Sequence, residues 1–255
     1  MKNQPCWGVF AHGCEYVQMR GIKVTNPYEC VNTDGIDIDC CRFVTISDCI
    51  IQTGDDAIAI RCDGKRLKQQ RVCENITITN CVLASNSCVF RLGVGIGEIR
   101  HVRVSNLTVT RGAFLVGTAT SYMGRGHADI EDVSFSDISA YNIGRLVCSD
   151  AKTGSVKNLV MKNINAKAGG IYIVQGEEGC ISDWVLKDIY LDIQEKKVPK
   201  DNCLVTISNT GDMVLENIKI CGKTEAWDKV LHIEGNEGLS VKNCDWIESM
   251  RRSML

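Results

Sequence analysis

The chain has 255 residues, 44% of them apolar, and 29 lysines and arginines face 31 aspartates and glutamates for a formal charge of −2. So even a balance excludes the basic footprint of a nucleic-acid binder and the cationic patch that holds a protein on an anionic membrane, and no apolar run reaches transmembrane length. The 15 cysteines are odd in number and contain no Cys-x-x-Cys pair, so reduced, mostly buried thiols are expected, with neither a disulfide scaffold nor a metal clamp and no cofactor.

The opening residues Met1 to Trp7 lack the apolar core of a signal peptide. A cytoplasmic protein is expected on that ground, or a secreted one if the natural chain begins earlier.

From the first coil onward one phrase recurs: apolar-x-apolar-x-Asn/Asp-apolar-x-apolar. Its anchors are Gly21, Asp48, Asn80, Asn106, Asp137, Asn163, Asp188, Asn217 and Asn243, spaced 25 to 32 residues apart. One residue after each anchor stand Ile22, Cys49, Cys81, Leu107, Ile138, Ile164, Ile189, Ile218 and Cys244; two before it stand Met19, Ile46, Ile78, Val104, Phe135, Met161, Leu186, Leu215 and Val241. Apolar residues alternate by two on either side and break parity at the anchor, so the chain turns there between two short strands. Asn and Asp tolerate such a turn.

A further inward strand is expected in each coil, at Ile36 and Ile38, Ile58 and Ile60, Phe90 and Leu92, Phe114 and Val116, Leu146 and Cys148, Ile171 and Ile173, Val205 and Ile207, and Leu231 and Ile233. Hairpins of a β-sandwich would not repeat one phrase in one direction. The pattern predicts an all-β fold, a single-stranded right-handed parallel β-helix of about nine coils, forming one domain over residues 1–255. Cys49, Cys81, Cys148 and Cys244 then serve as small core hydrophobes, and Trp184 takes an inward place. Asn75-Ile76-Thr77 and Asn106-Leu107-Thr108 read as turn and strand, not as glycosylation acceptors.

Asp34 and Asp56 each stand two residues before an inward isoleucine, on neighbouring coils about 4.8 Å apart. Asp55 adjoins Asp56, Asp37 and Asp39 continue the first strand, and Arg61 and Arg91 project on the same face. Like charges stacked a strand apart gain nothing for stability, so the cluster is expected to be a site with shifted pKa values.

At Asn32-Thr33-Asp34-Gly35-Ile36-Asp37, followed by Gly54-Asp55-Asp56-Ala57-Ile58, the sequence resembles glycoside hydrolase family 28, the polygalacturonase family. The resemblance implies hydrolysis of a glycosidic bond with inversion, in a pectin-like or other plant carbohydrate. It makes Asp55 the general acid and Asp34 and Asp56 the groups that activate water. Asp37, Arg61, Arg91 and Tyr122 are the expected substrate-binding residues. The family's Gly-His-Gly falls on Cys88 to Phe90, with Cys88 in the histidine's place, and its Arg-x-Lys pair falls on Leu115 and Gly117. Without that basic pair, a free uronate is expected to gain little over a neutral sugar, Arg91 being a partial substitute.

Gly93-Val94-Gly95-Ile96-Gly97 reads as a tight turn, since no helix follows it. His12, His101, His127 and His232 offer no metal pair, and Lys196, Lys197 and Lys200 belong to a solvated insertion. About one coil precedes the first aspartate motif, so an uncapped end is expected to favour self-association. Three functions stay open: a glycosidase, a carbohydrate-binding β-helix without turnover, and a lyase or epimerase.

Overall fold

In a computed structural model, which describes residues 1–121, 126–193, 203–222 and 229–244, every ladder within the solenoid is parallel. The chain is a right-handed parallel β-helix of three ladders, each coil adding one rung to each.

The first ladder begins with Val9–His12, Ile36–Asp39 and Ile58–Asp63 and holds the inward isoleucines in register, Val9 on Ile36, Ile36 on Ile58 and Ile58 on Phe90. In the second ladder Met19 pairs Ile46, Ile78, Val104 and Phe135 in turn, and Met161 pairs Leu186, Leu215 and Val241. Period-two alternation puts each of these columns inside. Most of them are fully buried, from Ile46 through Phe135 to Leu186, and Trp184 lies among them at 0% exposure with its indole N–H on the Val156 carbonyl.

All nine anchors adopt left-handed backbone, with φ between 51° and 66°. Asn and Asp pay less than other side chains for that conformation, and here they add a ladder of their own. The Asn106 amide donates to Asn80 at 2.7 Å, Asn163 to Asp137 at 2.6 Å, Asn217 to Asp188 at 2.7 Å and Asn243 to Asn217 at 2.9 Å.

A second left-handed corner, not foreseen, lies five residues before the anchors at Tyr16, Phe43, Asn75, His101, Asp132, Asn158 and Asp183. It separates the first ladder from the second. His101, placed at the surface from its sequence, is exposed there.

Two expectations need correction. Val147 pairs both Val116 and Ile171, and Ser149 pairs Ile173, so Leu146 and Cys148 leave the inward column and Phe114 sits half-buried beside Arg145. Leu146, Val147 and Cys148 are all apolar and all buried, which erases the alternation that would reveal parity. Ser149 reaches the interior because its hydroxyl meets that of Thr118 at 2.9 Å. The glycine-rich stretch at 93–97 is a bulge inside the strand Cys88–Ala119, where the pairing slips between Ile60 and Cys62, and not a turn.

Candidate active site

The register of Ile36, Ile58 and Phe90 places Asp34, Asp56 and Cys88 in one column, two residues earlier on successive coils. Backbone bonds lock the column: the Gly35 N–H donates to the Asp56 carbonyl at 3.0 Å and the Ala57 N–H to that of Cys88 at 2.9 Å. The motif's small residues have steric reasons. A Cβ on Gly54 would run into the carbonyl oxygens of Cys30 and Pro27, and one on Gly35 into that of Ala57. The Thr33 hydroxyl ties the two motifs together, donating to the Cys30 carbonyl at 2.7 Å and accepting from the Gly54 N–H at 3.1 Å.

Asp55 is half-buried beside this column. Its backbone carbonyl accepts from Thr53 at 2.7 Å and Ser85 at 2.6 Å, and its carboxylate accepts from the Asn32 N–H at 3.0 Å. Asp34, Asp55 and Asp56 line one cavity of about 320 Å³ with Arg61 and Arg91, and Trp7, Asn32, Val94 and Ala119 complete its wall. Five of the seven expected site residues therefore share a cavity.

The others do not. Asp37 was expected to touch substrate, but it is fully buried, its carboxylate 3.6 Å from the Arg61 guanidinium, so it lies behind that arginine. Strand alternation would turn Asp37 outward; the bulk of Arg61 covers it. Tyr122 lies outside the described residues.

Each arginine has a different bond pattern. Arg91 grips Asp56 with two donors, Nε to Oδ2 at 2.9 Å and Nη2 to Oδ1 at 3.3 Å, while the Cys88 N–H donates to the same Oδ1 at 2.9 Å. Arg61 lies 3.6 Å from Asp37 and 3.9 Å from Asp39, with the Trp7 ring 4.6 Å from its Cζ. His12 approaches Asp39 at 3.3 Å. The contacts of Trp7, Asn32 and His12 were not foreseen, although two of them hold repeat positions: Trp7 stands two residues before Val9, in the column of Asp34 and Asp56, and His12 pairs Asp39, which pairs Arg61.

Burial raises the Asp34 carboxyl to about 7, helped by the charges of Asp56 and Asp55, and raises Asp37 to about 8, helped by Asp34. The folded chain thus keeps protons on two carboxyls that the unfolded chain gives up near pH 4. Stability from this source is complete below about pH 4 and is lost as pH rises through about 7 and about 8. A urea midpoint is expected to fall between about pH 5 and about pH 9, and Asp37→Asn to flatten that fall. An unchanged slope in the variant would show that Asp37 ionises freely in the fold.

Cys88 is fully buried and its thiol is held well above the ordinary value by desolvation. A nucleophilic thiolate would need an activating base and a lowered pKa. Cys88→Ser is expected to leave fold and most turnover intact, and abolished turnover in a folded variant would give the sulfur a direct role.

A family model, glycosyl hydrolases family 28, matches residues 1–209. The chain belongs to this family. Similar proteins include a polygalacturonase of Arabidopsis thaliana, 28% identical over 173 residues that make 59% of this chain and 36% of that protein. A polygalacturonase of Chamaecyparis obtusa is 31% identical over 119 residues, 45% of this chain and 20% of that protein.

Among solved structures, the Yersinia enterocolitica family 28 exopolygalacturonase superposes with a TM-score of 0.68 at 12% identity, covering 94% of this chain and 43% of that one. The hyperthermoactive exopolygalacturonase of Thermotoga maritima gives 0.60 at 20% identity, covering 94% and 50%. Those two likenesses speak for the fold. The family 28 chain described here spans at most half the length of these four proteins.

Proposed function

We propose that this family 28 chain hydrolyses glycosidic bonds of a pectin-like carbohydrate, with Asp34, Asp55 and Asp56 as its acid and base groups. The observation that carries the reading is the single cavity into which two neighbouring coils bring these three carboxylates. Hydrolysis needs one carboxyl that gives a proton to the leaving oxygen and another, ionised, that takes one from water.

Crowding supports such a division. Asp34, buried and facing two like charges, holds its proton to about 7, whereas Asp56 is compensated by Arg91 and by the Cys88 N–H. Asp55, the general acid that the resemblance implies, is the least buried of the three and lines the cavity, which supports that role. Protons in such a cluster belong to the group as a whole, so the free site can store on Asp34 a proton that Asp55 delivers once substrate displaces water. Inversion requires room for a water molecule opposite the acid.

The reading is tested by the anomer released. Proton NMR of the first product from a pectic oligosaccharide is expected to show the anomer opposite to that of the cleaved bond. A retained anomer would replace water activation by a covalent intermediate and contradict the assigned roles.

A further inference from the structure

We propose that Arg61 grips the carboxylate of a uronate in the substrate, in place of the basic pair that the family carries elsewhere. The inference rests on the hydrolase reading for the site and adds to it the residue that sets specificity for an acidic sugar.

The places of the family's basic pair cannot supply a cation here. Leu115 is fully buried, and Gly117 lies directly against Cys88, whose Sγ would be 2.5 Å from an added Cβ, with Arg91 Nη1 at 3.5 Å. Arg91 lines the cavity, but its charge and two of its donors are engaged by Asp56. Of the two arginines in the cavity wall, Arg61 is the one with donors to spare.

Its neighbours orient Arg61 without satisfying it. The carboxylate oxygens of Asp37 and Asp39 lie 3.6 Å and 3.9 Å away, beyond hydrogen-bond reach. The Nε is buried without a hydrogen-bond partner, as are both Asp37 oxygens. Trp7 covers one face of the guanidinium, an arrangement that limits its rotation, and the side chain lines the cavity. A planar fork of N–H donors held this way matches a carboxylate, which accepts two parallel bonds.

The local charges allow an anion to enter. Asp56 is matched by Arg91, and burial moves Asp34, Asp37 and Asp39 toward their protonated forms. Arg61 therefore faces buried carboxyls whose negative charge is disfavoured, and Arg91 is already matched to Asp56. This reverses the expectation drawn from Leu115 and Gly117, which weighed Arg91 alone.

The test is calorimetric binding of trigalacturonate and of its methyl ester to the full chain carrying Asp55→Asn, in which neither ligand is consumed. With Arg61 present the free acid is expected to bind about 10- to 100-fold more tightly than the ester, the range of a charge-assisted pair. Arg61→Gln should bring that ratio to near one, and Arg61→Lys should keep part of it. Circular dichroism reports whether each variant folds, and if Arg61→Gln does not, the ratio in Arg61→Lys decides.

Equal affinity for acid and ester with Arg61 present, a ratio unmoved by substitution, or no binding of either ligand would overturn the inference. An Arg61-dependent ratio in a chain that hydrolyses nothing would leave this inference standing and remove the hydrolase reading. Hydrolysis with equal use of acid and ester would do the reverse.

Discussion

Asp55→Asn is expected to abolish hydrolysis while leaving fold and sugar binding nearly unchanged. The side chain is half-buried at the cavity wall and is no member of the core columns, so an amide of the same size costs little packing and removes one of three crowded carboxyls. An amide cannot deliver a proton to the leaving oxygen, and general acid catalysis is worth typically about 10²- to 10⁴-fold. A nitrophenolate leaving group, which departs without protonation, should restore much of the rate.

Asp34→Asn should fail as well, through lost water activation, and the same leaving group should rescue it far less. Burial raises the Asp34 carboxyl to about 7, which makes the comparison decisive. If the good leaving group rescued Asp34→Asn and not Asp55→Asn, the acid would be Asp34 and the two roles would exchange. Wild-type rates in both variants on every cleavable glycoside would leave the aspartates without a catalytic part.

Arg91→Gln is the second large effect expected. The arginine gives Asp56 two hydrogen bonds and a positive charge, and the Asp56 side chain is 9% exposed against 24% for its partner. Loss of a hydrogen bond to a charged group costs about 1.5–3 kcal/mol, nearer the lower end where water can reach the vacated space. With one N–H donor left, from Cys88, the ionised form of Asp56 is less favoured. Turnover should fall by roughly 10²-fold at mildly acidic pH, the size of a lost base, and recover in part as pH rises.

That displaced acid limb, measured as log kcat/KM against pH, separates a charge effect from mere damage. A uniform loss at all pH values would mean that Arg91 holds the site's shape and leaves the ionisation of Asp56 alone.

Much of the solenoid was legible because its constraint is local and repeated. A left-handed corner admits few residue types, so the anchors read as Asn or Asp, and the parity break around them revealed a turn. The second corner obeys the same geometry five residues earlier, yet it carries Tyr16, Phe43 and His101 beside its Asn and Asp members. Residue type hid it, and the fixed offset of five was the available signal. Parity also failed where polarity stopped alternating, at Leu146 to Cys148.

The acid column was legible for the same reason, since Asp34 and Asp56 hold a fixed offset from Ile36 and Ile58, which pair directly. The state of the two arginines was not. Both project from the face that bears the acids, but Arg91 reaches back one coil to Asp56, while Arg61 is turned against Trp7 from two coils before. Which cation is spent and which is available depends on side-chain paths between coils, and no column position encodes them.

The central claim is that the three-aspartate cavity hydrolyses a pectic glycosidic bond, and turnover of pectic oligosaccharides by the unaltered chain tests it most directly. Reducing ends should appear without any ultraviolet chromophore of an unsaturated product, and Asp55→Asn should stop their release. Unsaturated product would make the protein a lyase, and glycan binding with no release of either kind would make it a carbohydrate-binding β-helix.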